Sequence, residues 1–185
     1  MCDQSLQGHF LIASPHLNDA NFFRTVVLLI KHNEDGAFGL ILNRPACKTV
    51  GEVWESVSSE KCKNAAPVRI GGPVQGPLMA LHTLMSCKEC EILPGLYFAS
   101  NRDNLSRVVR RSDLPFLLFS GYAGWGEGQL ECELKQGGWL KFQADQEWVF
   151  ADIDSIWKRA VCRVGDRILD ETLKPKHKPS DPRLN

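Results

Sequence analysis

The sequence has no long hydrophobic run. Its longest, Val26-Val-Leu-Leu-Ile30, falls far short of the ~20 residues that span a bilayer as a helix, so no membrane partner is expected. The amino terminus, Met-Cys-Asp-Gln-Ser-Leu-Gln-Gly-His, lacks a cationic stretch followed by an apolar one, so no secretory signal is evident. Net charge is also missing: 22 basic residues stand against 22 acidic ones. Proteins that neutralise phosphates usually carry a basic excess, so direct nucleic-acid binding is not favoured. No internal repeat or low-complexity block divides the chain. Seven cysteines, an odd number with no export signal, read as reduced thiols, and a cytoplasmic, soluble protein is expected.

The usual catalytic patterns are missing too. Ser120 lies between an apolar run and a helix candidate, where a hydrolase nucleophile would sit. The elbow motif needs glycines two positions to either side, and Leu118 and Tyr122 stand there. Neither the Walker lysine spacing nor G-x-G-x-x-G occurs. Cys87-Lys-Glu-Cys90 is a lone C-x-x-C. His82 could join Cys87 and Cys90 around a metal, but structural zinc needs four ligands and no second pair supplies them. The histidines show no H-x-x-x-H spacing. The expectation is no catalytic residue, no metal and no cofactor.

What the chain does have is a segment crowded with glycines and aromatics, Phe119-Ser-Gly-Tyr-Ala-Gly-Trp-Gly-Glu-Gly-Gln129. Each glycine is costly in backbone entropy, and a chain carries several where it turns tightly or approaches something closely. The apolar run Pro115–Phe119 predicts a strand leading into a loop over Gly121–Gly128, followed by a helix over Gln129–Gln136 ended by Gly137-Gly138. Such a loop could cradle a phosphate at the helix start, but Glu127, Glu131 and Glu133 would repel one. The other reading is tight packing beside Tyr122 and Trp125.

Elsewhere, Phe22–Lys31 and Ala37–Asn43 flank Asn33-Glu-Asp-Gly36, a hairpin pattern. Thr49-Val-Gly-Glu52 and Ser100-Asn-Arg-Asp103 read as capping boxes. The second opens a helix whose Arg102, Arg107, Arg110 and Arg111 form either a solvated face or a face for an anionic partner. Trp139–Phe142 and Glu147–Phe150 predict a second hairpin, and Asp152 caps a final amphipathic helix. Irregular alternation of strands and short helices predicts an α+β fold in a single domain over residues 1–172. A polar, Pro/Lys-rich tail, expected to be flexible, follows over residues 173–185.

Read in order, Gly8-His-Phe-Leu-Ile-Ala-Ser-Pro15, Phe22-Phe-Arg-Thr-Val-Val-Leu-Leu-Ile30, Asn43-Arg-Pro45, Gly71-Gly-Pro-Val74, Leu81-His82 and Gly121-Tyr-Ala-Gly-Trp125 resemble the AlgH/YqgE family of bacterial proteins. The resemblance runs from about residue 8 to 170 and omits the Cys87/Cys90 pair. It implies an α+β domain with a complex bifurcated mixed sheet, including a small closed β-barrel, surrounded by helices. It also implies a non-catalytic binding or regulatory protein, one branch of the family being described as a regulator of alginate synthesis acting on transcription. The partner, protein or small molecule, is unknown. Candidates for its binding surface are Asn43, Arg44, Pro45, Gly71, Gly72, Pro73, Tyr122, Gly124, Trp125, Gln129 and Glu131. The alternative is an enzyme using Glu131 or Glu133 as acid/base near Arg44 and His82.

Overall fold

The computed structural model describes residues 5–173 apart from residues 59 and 112. The polar tail beyond residue 173 lies outside the described residues. Ten strands dominate: β1 (His9–Ala13), β2 (Val26–Asn33), β3 (Gly36–Ile41), β4 (Pro45–Thr49), β5 (Pro67–Ile70), β6 (Val74–His82), β7 (Cys90–Leu93), β8 (Leu96–Ala99), β9 (Phe116–Trp125) and β10 (Trp139–Gln143). Five α-helices accompany them, α1 (Val50–Ser58), α2 (Arg102–Val109), α3 (Gln129–Lys135), α4 (Gln146–Val149) and α5 (Ile156–Leu173), with a single 3-10 turn at Met85–Cys87.

The sheet runs β10-β1-β2-β3-β9-β6-β8-β7 and branches at β9. There β5 joins in parallel, Arg69 beside Phe119 and Ile70 beside Ser120, and carries β4 with it. The fold is α+β with a bifurcated mixed sheet, as expected. The implied barrel closure is not found: β10 and β7 end an open path.

Strand alternation builds the core on both faces of the sheet. Phe10, Ile12, Val26, Leu28 and Ile30 point into one cluster, which α5 covers with Ile156, Ala160 and Val164. Leu11, Ala13, Val27 and Leu29 point into a second, sealed by Leu130 of α3 with Trp125 and Trp139. A third, around Ala80, Ala99 and Leu118, is closed by Val50 and Trp54 of α1 and Leu105, Val108 and Val109 of α2.

Several local expectations hold. The β2–β3 hairpin forms, with Asn33 opposite Gly36. The Thr49 hydroxyl accepts from Glu52 N at 3.2 Å while the Glu52 carboxylate accepts from Thr49 N at 2.8 Å, a reciprocal capping box. Gly137, at φ 73°, ends α3, and Gly138 N donates to Glu133 O at 3.0 Å.

Others are corrected. At the start of α2 the cap is Asn101, whose side chain accepts from Asp103 N; Ser100 N instead donates to the Glu89 carboxylate. The second hairpin does not form. Asp145 caps α4 by accepting from Trp148 N at 3.0 Å, which coils that stretch, and β10 pairs with β1 instead. The glycine segment is not a loop: β9 continues through Gly121 and Gly124 to Trp125. Long-range pairing of Ala123–Trp125 with Ala37–Gly39 overrides the weak strand propensity of glycine.

Candidate functional site

The sequence-predicted residues fall into three local arrangements. The first is a staple. Asn43 Oδ1 accepts from Val26 N at 2.9 Å, and its Nδ2 donates to Arg24 O at 2.8 Å. Arg44 donates to Phe23 O. Together they hold the loop before β2, where Arg24 takes a left-handed φ of 55°. Pro45 opens β4 opposite Arg69. Arg69, which sequence reading missed, is buried and donates to Leu42 O at 2.5 Å. Burial lowers its pKa to about 10, still protonated at neutral pH. Its one legible trace was a cation inside the apolar run Pro67–Ile70.

The second is a backbone crossing. Gly71 N donates to Ser120 O, and Gly71 O accepts from Ile41 N. A methyl group on Gly72 would lie 2.1 Å from the carbonyl carbon of Tyr122, and one on Gly71 2.2 Å from Gly121 O. Pro73 then leads into β6. Past the crossing, the half-buried Tyr122 ring packs on Phe38 with centroids 5.1 Å apart. Methyl groups on Gly76 and Gly124 would come within 3.0 and 3.3 Å of that ring, so both glycines make room for it. Among the described residues the Tyr122 hydroxyl has no hydrogen-bond partner.

The third surrounds α3. Glu133 Oε2 accepts from Trp125 Nε1 at 2.9 Å and from Trp139 Nε1 at 2.7 Å, while its Oε1 accepts from Gln129 Nε2. Gln129 Oε1 in turn accepts from Gly126 N. Phe22 stacks on Trp125 and meets Trp139 edge-on. Glu131 Oε1 lies 2.6 Å from His32 Nε2, whose Nδ1 accepts from Leu6 N. The backbone amide therefore fixes His32 as the Nε2–H tautomer, donating to Glu131. The Glu131 pKa is lowered, first by its own backbone amide and also by His32. Neither carboxylate contacts Arg44 or His82. His32 and Phe22 were not legible as partners of this segment, because each lies about a hundred residues away in sequence.

His82 is buried, and among the described residues neither ring nitrogen has a hydrogen-bond partner, nor does Thr83 Oγ1 beside it. Cys87 is buried and Cys90 half-buried. Among the described residues no three His, Cys, Asp or Glu side chains converge on a metal position. Burial lowers the His82 pKa below 6.5, with the Glu89 charge acting in the opposite direction. The unfolded chain therefore takes up this proton first as pH falls, so the folded state loses stability from about pH 6.5 downward. His82→Phe should flatten that part of a urea-midpoint profile between about pH 7 and 5 without lowering stability at pH 7. An unchanged profile would remove His82 from the acid response.

The arginines in and just after α2 make contacts within the protein. Arg110 bonds Glu60 at 2.6 Å, Arg111 bonds Asp113, and Arg107 donates to Ser86. Among the described residues several grooves are lined by charged groups, and two stand out. One holds Ser5, His32, Asp35 and Glu131; the other opens between β10 and α5. Neither joins Asn43, Gly72 and Trp125.

This branched sheet, pinned by an Asn-Arg-Pro staple and a glycine crossing, defines a fold shared with known proteins. The AlgH-like family model (DUF179) matches residues 10–169. The chain belongs to the AlgH-like family. It is 39% identical to a UPF0301 protein of Chlorobaculum tepidum over 83% of this chain and 84% of that one. A UPF0301 protein of Pseudoalteromonas translucida is 35% identical over 88% and 92%. The solution structure of the AlgH protein from Pseudomonas aeruginosa superposes with a TM-score of 0.73 at 32% identity, covering 97% of this chain and 98% of that one. A crystal structure of a Corynebacterium diphtheriae protein gives 0.69 at 25% identity, covering 87% of each chain. No helix among the described residues is long and apolar enough to cross a membrane.

Proposed function

We propose that this protein is a non-catalytic binding protein of the cytoplasm, recognising a protein or small-molecule partner through the surface around Tyr122. One observation carries the reading: the polar groups of the family signature that could do acid/base work are committed to holding the fold. Both Glu133 oxygens accept from neighbouring side chains, and Glu131 meets a histidine whose other nitrogen is occupied by an amide. Tyr122, by contrast, offers a half-exposed ring and a hydroxyl with no partner among the described residues, beside the exposed glycines 76 and 124. An aromatic ring with a free polar tip suits recognition. A role in regulating transcription, the expectation carried by the resemblance, would then be exerted through that partner and without direct contact to DNA.

The test is affinity capture from a native bacterial lysate, with a metabolite thermal-shift panel alongside. A ligand at about 100 times its dissociation constant adds about 2.7 kcal/mol, a readable shift in melting temperature. Tyr122→Ala should abolish the captured band or the shift. Tyr122→Phe should keep the ring packing and weaken binding by about fivefold, the worth of one hydrogen bond. Turnover of any panel compound, lost in Glu131→Gln, would instead establish the carboxylate enzyme.

A further inference from the structure

The strongest unassigned feature is the groove between β10 and the carboxyl-terminal half of α5, with a volume of about 670 Å³. Lys141, Arg163 and Arg167 bring cations to it, and Phe142, Val164 and Ile168 an apolar floor. Among the described residues no carboxylate lines it. Asp145 lies 3.8 Å from Arg163, with both side chains about half exposed, and Asp166 lines the adjoining groove with Arg163 and Arg167. So loose and solvated a pair adds little, and the Arg163 guanidinium also lies over the Phe142 and Trp148 rings, 4.9 and 5.1 Å from their centroids. Ile168, on the same helix, is 52% exposed, a large apolar side chain left uncovered.

The backbone of β10 supplies the second half of the argument. This strand ends the sheet and, among the described residues, pairs only with β1. Ser14 N donates to Gly138 O, and Ala144 N to Gly8 O. With Phe10 opposite Phe142 and Ile12 opposite Leu140, the ladder bonds fall on the even-numbered residues of β10. Antiparallel alternation then turns the N–H and C=O groups of Trp139, Lys141 and Gln143 away from β1. A free strand edge therefore borders a basic, partly apolar groove whose far wall is a helix.

We propose that an extended acidic peptide segment of a partner protein binds here, pairing with β10 as a further strand. Its backbone would satisfy the outward groups of Lys141 and Gln143. Alternate side chains would divide between the cations and the Phe142–Val164–Ile168 floor, as strand geometry requires. Charge decides among occupants. A second copy of this chain would set Lys141 and Arg163 against their own counterparts. The chain's own terminal segment, with Lys174, Lys176, Lys178 and Arg183, carries the same sign as the groove. Nucleic acid would use the cations but leave the strand edge unpaired. This surface is separate from the one around Tyr122, so either reading can fail alone.

The probe is a fluorescein-labelled peptide, Ser-Glu-Val-Asp-Val-Glu-Val-Ser, titrated with the full chain and read by anisotropy. Three controls accompany it: the same peptide with lysine at each acidic position, the same peptide N-methylated at alternate residues, and a ten-nucleotide oligothymidine. The acidic peptide should bind, and backbone NMR shifts should concentrate at residues 139–143 and 163–168. Arg163→Glu, which replaces attraction by repulsion, should weaken binding about tenfold, as should N-methylation of the peptide. Lys141→Pro removes an outward N–H without touching the ladder to β1 and should act likewise, since edge strands tolerate proline.

No binding at about 1 mM peptide, tighter binding of the oligothymidine, equal binding of the lysine peptide, or shifts centred elsewhere would each overturn the proposal. So would dimerisation through β10 in sedimentation equilibrium.

Discussion

Gly72→Ala is expected to destabilise the protein by about 4 kcal/mol, at the exceptional end of single-substitution effects. The added methyl would sit 2.1 Å from Tyr122 C, 2.2 Å from Tyr122 O and 2.3 Å from Ala123 N. All three are main-chain atoms of a strand held on both sides, so no rotamer change makes room. The β5–β6 connection would have to lift off β9, breaking the hydrogen bonds from Gly71 to Ser120 and from Ile41 to Gly71. Gly165, in the middle of α5, gives the contrasting case. Nothing lies within 4 Å of its added methyl, and helix propensity alone should make Gly165→Ala stabilising by up to about 1 kcal/mol. Urea titrations of the two variants read both signs. A loss below about 1 kcal/mol for Gly72→Ala would mean that the crossing is looser than described.

The second large effect belongs to Glu133. Replacing it by leucine leaves the indole N–H groups of Trp125 and Trp139 without an acceptor in a largely buried setting, at about 1–3 kcal/mol for each orphaned donor. Allowing for the partial exposure of the carboxylate, Glu133→Leu should cost about 3 kcal/mol. Glu133→Gln should cost about 1 kcal/mol, because one amide oxygen can still face both indoles. Urea midpoints, with the tryptophan emission maximum as a local readout, distinguish the two. If glutamine proved as damaging as leucine, the negative charge itself would matter, and the carboxylate would need a role other than holding two indoles.

Local chemistry was legible from the sequence, while distant pairing was not. The Thr49–Glu52 box, the Gly137-Gly138 helix end and the β2–β3 hairpin each follow from residues a few positions apart. So does Asp152, whose side chain accepts from Ser155 N just ahead of α5. The glycines at 121 and 124 misled because their reason lies elsewhere in the chain. Gly121 yields to the β5–β6 crossover, and Gly124 makes room for the Tyr122 ring. The same holds for β10, whose partner β1 lies some 130 residues earlier, and for His32 against Glu131. The family motifs marked where the chain is constrained. The partners that impose the constraint became visible only once the sheet was assembled.

The position of β9 also has a consequence for how the chain reaches its native state. Through one strand at residues 116–125 run the pairings to β3, β5 and β6, none of which is adjacent to it in sequence. Before that strand is synthesised, β1–β3 and β6–β8 can exist only as separate hairpins and meanders with exposed edges. Contacts this distant close slowly and leave apolar edges open meanwhile. A growing chain therefore stays vulnerable to aggregation until about its first two thirds, through residue 125, have left the ribosome. Chaperone occupancy on nascent chains should persist beyond residue 125 and fall once β9 is free to dock.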